Sequence, residues 1–277
     1  SAVSSVNGQP DVELRARQGL LPDTLLDRVA AHPDVVLASP VLGVETRNGV
    51  HHLRTPGGTV RARAVGFATG GYTSNALHGS LRSKIMPILS NSLVTRPLTE
   101  QELEATGFKT TQVITDTRTL RFYYRRLPDN RVQIGSRSAV TGADAPNPIH
   151  MAKLVDGLHR KFPALKGITI DYSWWGWVDV SHDMMPRITR PDPRETVWHA
   201  LGYGGNGVAA STWAGKRIAE RVAGKDAGRD VFNLPIYNSP LEYPNIWNTV
   251  RSEAFAPFRR FGQFFLYKWY WLRDEKI

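Results

Sequence analysis

Cysteine is absent from this chain of 277 residues. Disulfides, thiolate metal sites, a cysteine nucleophile and a cysteine-linked prosthetic group are thereby excluded. No uncharged stretch reaches the roughly 18 residues of a transmembrane helix, and no apolar core follows a basic N-terminal region, so neither a membrane span nor a signal peptide is legible. The 8 histidines form no H-x-x-x-H pair and no cluster with carboxylates. His51 and His52 are neighbours in a predicted strand and should point to opposite faces, so no metal site is expected. Ser181 and Ser211 lack the surroundings of a nucleophile elbow, which leaves hydrolase chemistry without support. Acidic residues are the minority, 25 against 35 Lys and Arg, for a net charge of +10. The excess is scattered, with Arg121, Arg125, Arg126, Arg131 and Arg137 in one predicted hairpin, and aromatics do not interleave with it as a stacking platform requires. Nucleic acid is not an expected partner. With 41% apolar residues the chain can bury a full core, as one large or two small domains.

The most informative segment present is Gly202 to Gly215, GYGGNGVAASTWAG. It follows a short apolar run, Val197 to Leu201, and opens a stretch of helical spacing that continues to about Val222. Backbone N–H groups would therefore gather where a helix dipole is positive, a site suited to an electron-rich group. Gly202, Gly204 and Gly207 also satisfy G-x-G-x-x-G after a strand. That pattern asks for a second strand and an acid about twenty residues on. Ala223 to Asp230 is instead a polar linker, so a dinucleotide pyrophosphate loop is not expected here. A glycine turn that only lets a helix pack tightly, with Ala209, Ala210, Ala214 and Gly215 as its close face, stays open as the alternative.

Along the chain, Pro22-Asp23 begins a predicted helix to His32. β runs follow at Val35–Leu37, Val41–Arg47, His51–Arg54 and Val60–Ala68, separated by Asn48-Gly49 and Pro56-Gly57-Gly58. Further strands are predicted at Met86–Val94, Thr111–Thr117, Leu120–Tyr124 and Arg131–Gly135, with a turn at Pro128-Asp129-Asn130. Thr99 and Glu102 read as a capping box. Ile149–Phe162 reads as a longer helix. The composite is an antiparallel sheet with helices on one side. The tail from Ala254 to Leu272 reads as a helix with Phe258, Phe261, Phe265, Trp269 and Leu272 on one face and aromatics on others as well.

Five stretches, in order, resemble the D-amino-acid-oxidase-like (DAO) family of FAD-dependent oxidoreductases. Thr59–Tyr72 resembles its ATG strand, Leu120–Gly135 its substrate-domain hairpin, Trp174–Ile188 its W-x-G to D-x-x-P-x-I stretch, and Gly202–Lys216 its closing flavin motif. Phe258–Asp274 resembles the tail of the amine-oxidising, gamma-glutamylputrescine-oxidase-like branch. The resemblance covers roughly residues 12–274 and implies FAD as cofactor. It implies an α+β or α/β fold: the C-terminal part of a FAD/NAD(P)-binding-like domain (12–84 and 190–235), an antiparallel-sheet substrate domain (85–189) with helices on one side, and an aromatic helical tail (236–277). The N-terminal βαβ unit that grips FAD first in this family is missing. The chain is therefore expected to be the C-terminal portion of a longer oxidoreductase.

The resemblance also implies a site. Thr69, Gly70 and Gly71 would let the backbone approach the dinucleotide, and Gly202, Gly204, Gly205, Asn206, Gly207 and Val208 would stabilise charge at the flavin ring. Asn206 stands where the family often has His. Tyr124, Trp175 and Trp177, beside Trp174 and Tyr123, would form an aromatic wall for an ammonium or an extended amine, with plain core packing as the alternative. Relatives that oxidise α-amino acids carry an Arg two residues after the W-x-G glycine. Val178 stands there, which removes a carboxylate clamp and favours an amine or an amino acid held elsewhere. Asp183 and Pro186 fall on the D-x-x-P turn, where a turn-stabilising Asp is the plainer reading. No catalytic side chain is assigned, because the flavin carries the chemistry of oxidising a C–N bond by hydride transfer.

Two function classes follow: an FAD-dependent oxidoreductase acting on an amine or amino acid, and a non-catalytic fragment or subunit needing a partner to complete the FAD site. A cytoplasmic location and a small-molecule substrate are expected. For the tail, packing across the FAD domain is expected, with a partner chain in an oligomer or a membrane surface as alternatives.

Overall fold

The computed structural model describes residues 39–82, 84–181, 183–225 and 258–275, together with residues 31, 33 and 234. The predicted helix Pro22–His32 and strand Val35–Leu37 therefore lie outside the described residues, as do most of the linker after Lys225 and the first residues of the predicted tail helix. In chain order the elements are β1 (Gly43–Arg47), β2 (Val50–Thr55), β3 (Gly58–Ala62), β4 (Val65–Phe67), β5 (Ile88–Thr95), α1 (Glu100–Thr106), β6 (Ile114–Thr115), β7 (Phe122–Arg126), β8 (Val132–Arg137), α2 (Pro148–Lys161), β9 (Ile170–Val178), β10 (Arg187–Thr189), β11 (Val197–Leu201), α3 (Gly207–Val222) and α4 (Arg259–Asp274). They fall into two compact units, residues 1–87 with 177–256 and residues 88–176 with 257–277.

The first unit opens with the antiparallel meander β1-β2-β3. Asn48 and Gly49 both adopt positive φ (50° and 75°), the geometry of a two-residue hairpin turn whose twist matches its strands. The predicted strand Val60–Ala68 is two strands. Arg63 and Ala64 interrupt it because β3 pairs with β2 while β4 pairs in parallel with β11, at Val65↔Val197 and Phe67↔His199. On β11 the side chains alternate. Val197 and Leu201 join Val65, Phe67, Leu77 and Leu81 in one cluster, while Ala200 faces Ile188, Ala210 and Ala214 in another. The small residues of α3 let that helix lie close on the sheet. This part of the tight-packing alternative is real, although Ala209 and Gly215 face outward.

The second unit is built on the sheet β6-β7-β8-β5-β9. Leu93, Phe122, Val132 and Ile134 on one sheet face pack against Leu154, Leu158 and Phe162 of the α2 segment. A fully buried Leu or Ile contributes about 1.5–3 kcal/mol each, so this cluster dominates the unit's stability. The capping box at α1 is present as expected: the Thr99 hydroxyl accepts from the Glu102 N–H at 3.2 Å, and Glu102 Oε2 accepts from the Thr99 N–H at 2.8 Å. Asn147 caps α2 by accepting from Ile149 N–H at 3.1 Å.

The aromatic tail helix falls in this second unit. Its C-terminal carboxylates hold it there: Asp274 accepts from the Thr119 and Leu120 N–H groups at 3.1 and 2.9 Å, and Glu275 pairs with Arg118 and Arg160 at 2.5 and 2.8 Å. The buried face of α4 is polar, with Gln263 and Asp274, while Phe261, Phe265 and Trp269 are 57–67% exposed. Burial is thus inverted relative to the usual amphipathic helix. No helix among the described residues is long and apolar enough to cross a membrane.

His199, on β11 opposite Phe67, is 1% exposed. It sits edge-on to Phe67 at 5.8 Å between ring centroids, and its Nε2 is 3.0 Å from the Ser80 hydroxyl. Burial, with the neighbouring His78 adding to it, pushes its pKa down to about 4. The unfolded chain binds the proton first as pH falls below about 6.5, so the stability contributed by neutral His199 is full above that value and is lost as pH drops toward the folded value. We expect the unfolding free energy to fall by on the order of 3 kcal/mol from this group between pH 6.5 and 4. Urea denaturation at stepped pH checks this: His199→Leu should have a visibly shallower pH slope than the parent, and equal slopes would contradict it.

Candidate functional site

Because β4 and β11 run in parallel, both glycine segments leave the sheet at the same edge, the C-terminal ends of adjacent strands. That is where open α/β sheets bind ligands. Thr69 precedes a short 3-10 turn, Gly70–Tyr72, with the Tyr72 N–H donating to the Thr69 carbonyl at 3.1 Å and the Thr69 and Thr73 hydroxyls 2.6 Å apart. Gly70 has φ +53°. Gly71 is buried against Trp177, and a Cβ there would stand 2.6 Å from the Trp177 carbonyl group. The backbones can approach only because the side chain is absent.

The segment after Trp177 joins the two loops. The Trp177 N–H donates to the Tyr72 hydroxyl at 3.4 Å. Two residues on, Asp179 accepts the Gly202 N–H on its carboxylate at 2.6 Å and the Gly204 N–H on its carbonyl at 2.9 Å. Val180 bridges Tyr203. Asp179 is 6% exposed. Burial raises its pKa, and the bonds from Gly202 and Tyr203 N–H groups oppose that shift without cancelling it.

Gly202, Gly204 and Gly205 have φ of +82°, +61° and +100°, a run of left-handed conformations open to glycine at little cost. Gly204 packs on the D-x-x-P turn, where a Cβ would meet the Met184 carbonyl oxygen at 2.8 Å. Met184 itself is at φ +62°, an uncommon place for a long side chain. The turn is fixed by Asp183, which accepts from the Met185 N–H at 3.0 Å and pairs with buried Arg187 at 2.6 Å. Burial would raise the Asp183 carboxyl, but these donors and Ser181 overcome it and hold it down at about 2. Asp183 is thus a turn-stabilising residue, as its plainer reading had it.

Gly205 differs from its neighbours, because nothing lies within 4 Å of where its Cβ would be. Asn206 follows as the residue before α3 with no hydrogen bond from its side chain to the helix, Gly207 starts the helix, and Val208 is 93% exposed. A glycine in a left-handed conformation facing open space, beside the uncapped first turn of a 16-residue helix, is a cradle for a flat, electron-rich group. These residues fit the isoalloxazine end of a flavin, which needs close backbone approach and N–H donors.

Of the three aromatic candidates, Trp175 and Trp177 stand two residues apart on β9 and so share a strand face. Trp177 stands in the first unit against Gly71. Tyr124 and Trp175 belong to the second unit. Tyr124 packs on the core side of its sheet, with Phe108 and Phe162 at ring distances of 6.0 and 5.6 Å, whereas Tyr123 lies over Gly135 on the opposite face and its hydroxyl is 2.7 and 3.0 Å from those of Ser90 and Ser92. Strand neighbours face opposite sides, and core packing takes Tyr124. Asp179, Tyr203 and Met184 were not singled out as site residues from the sequence. An acid inside the run Trp177–Val180 does carry a signal, since a carboxylate among apolar neighbours needs buried donors.

A family model described as FAD dependent oxidoreductase (DAO) matches residues 23–221. Gamma-glutamylputrescine oxidoreductase of Escherichia coli is 33% identical over 189 residues, 68% of this chain and 43% of that protein. Probable oxidoreductase OrdL of Haemophilus influenzae is 29% identical over 197 residues, 70% of this chain and 44% of that protein. Among solved structures, iminodiacetate oxidase from Chelativorans sp. BNC1 superposes with a TM-score of 0.59 at 18% identity, covering 74% of this chain and 54% of that one. The chain spans about half the length of the curated relatives it matches.

Gly204 and Gly205 share the backbone penalty of positive φ but differ in space. Gly204→Ala should therefore destabilise more than Gly205→Ala, by about 1–3 kcal/mol, the usual range for overpacking against a fixed backbone atom. Urea midpoints of the two variants decide it: indistinguishable values would mean that the turn at Met184 yields and does not hold the loop.

Proposed function

The chain belongs to the DAO family of FAD dependent oxidoreductases, and on that premise we propose that its two glycine loops hold the flavin ring in the oxidation of an amine or amino-acid C–N bond. The observation that carries this is the shared exit of Thr69–Gly71 and Gly202–Gly207 from adjacent parallel strands, with open space at Gly205. When bound, FAD supplies a two-electron acceptor for the C–H bond beside the substrate nitrogen. The chain's own part is position and electrostatics. Gly205 admits the ring edge, the first N–H groups of α3 with Asn206 stabilise negative charge there, and Asp179 fixes the loop through Gly202. A cytoplasmic setting belongs to this reading.

Val178 supports amines over α-amino acids as substrates, because no guanidinium stands at the position where carboxylate-binding relatives place one. One charge-assisted pair is worth roughly 1.5–3 kcal/mol, enough to move preference by one to two orders of magnitude. The second reading is a subunit whose nucleotide contacts come from a partner, put beside the first because the chain spans about half the length of the curated relatives it matches.

Fluorescence titration of the chain with riboflavin and with FAD tests the ring site. Both should bind with affinities within about tenfold of each other, and Gly205→Val should abolish binding of both. FAD binding a hundredfold tighter than riboflavin, or a Gly205→Val variant that binds unchanged, would overturn the assignment. In the flavin-loaded protein, N-substituted polyamines should exceed small D-amino acids in kcat/KM by at least tenfold, and the reverse order would sink the amine reading.

A further inference from the structure

In the second unit α2 and α4 do not close on each other along their length. A cleft of about 980 Å³ separates them, floored by the segments around Phe122 and Ser136. That is the volume of a small-molecule site. It belongs to neither glycine loop.

The charges of the cleft do not cancel. Glu275 pairs with Arg118 and Arg160, Asp156 also pairs with Arg160 at 2.9 Å, and Asp144 accepts from the Nε2 of His150 at 3.0 Å. Arg137, Lys153 and Lys268 also line it, and none of the three has a carboxylate partner among the described residues. Lys268 rests instead over the Phe264 ring at 5.2 Å. The walls between these cations are apolar, with Leu120, Ile149, Phe264 and Trp271. Buried polar atoms of lining residues without a hydrogen-bond partner among the described residues include Arg118 Nε and His150 Nδ1, His150 being only 7% exposed. Of these, Arg118 Nε is a buried donor left open, and it calls for an acceptor that is not part of the protein.

We propose that this cleft is a second binding site, for an amphipathic organic anion: a carboxylate on an aromatic or extended apolar body. The carboxylate meets the unneutralised cations, and the apolar body lies between Phe264 and Trp271 of α4 and Ile149 of α2. Helix α4 supplies one wall of the cleft, through Phe264, Tyr267, Lys268 and Trp271.

The test is calorimetric titration of the full chain with 4-phenylbutyrate, and with 4-phenylbutylamine as a control of the same body and opposite charge. The acid should bind saturably at one site and the amine at least tenfold more weakly. Lys153 is exposed, so Lys153→Glu leaves the fold intact and should weaken the acid about tenfold; Trp271→Ala should weaken it as well, while Phe265→Ser on the outward face of α4 should not. A Trp271→Ala chain that misfolds is replaced by Lys268→Glu, with the same expected loss. No saturable binding, equal binding of acid and amine, or undiminished binding in Lys153→Glu each overturns the proposal.

Discussion

The candidate flavin site depends on one buried carboxylate. Asp179 takes the Gly202 N–H on its side chain and the Gly204 N–H on its backbone carbonyl, so one residue fixes both the start and the middle of a loop made of glycines. Apart from buried Tyr203, such a loop has few side chains to hold it and loses much conformational entropy on ordering. The carboxylate offsets part of that cost at the point where the loop must be still. It is desolvated in doing so, and a desolvated acid is tolerated only where N–H donors converge on it. The same strand segment touches the other loop through Trp177 and Gly71. Removal of this segment would leave both loops without a common reference.

Much of this was legible in the sequence, and what was not has identifiable causes. The meander could be read because Asn48-Gly49 and Pro56-Gly57-Gly58 are turn residues with a mechanism. The capping box at Thr99 and Glu102 is equally local. The glycine loop and its helix were legible from an apolar run followed by glycines and then helical spacing. The parallel pairing of β4 with β11 was not: it joins residues about 130 positions apart, and no period in either strand announces its partner. For the same reason Val60–Ala68 read as one strand when its two halves pair with different neighbours. Tyr123 and Tyr124 could not be separated because alternation assigns faces only once one face is known. The face of α4 was misjudged since it is aromatic on nearly all sides, and the anchors that decide its orientation, Asp274 and Glu275, lie at its very end.

The two units divide the work differently. The first uses backbone: glycines, N–H groups and one buried acid, with few side chains that could do chemistry. The second uses side chains, with a packed sheet-and-helix core on one face and a charged, aromatic cleft beside it. A flavin enzyme can be built this way because the cofactor brings the reactive centre and the protein brings position. The proposed preference for amines rests on Val178, where no guanidinium stands.

Amide hydrogen exchange of the chain with and without FAD tests the central claim most directly, since it asks which backbone N–H groups the cofactor covers. The account predicts slowed exchange at residues 69–73 and 203–210, with residues 88–176 unchanged. Protection confined to other segments, or none at these two loops under saturating FAD, would contradict it.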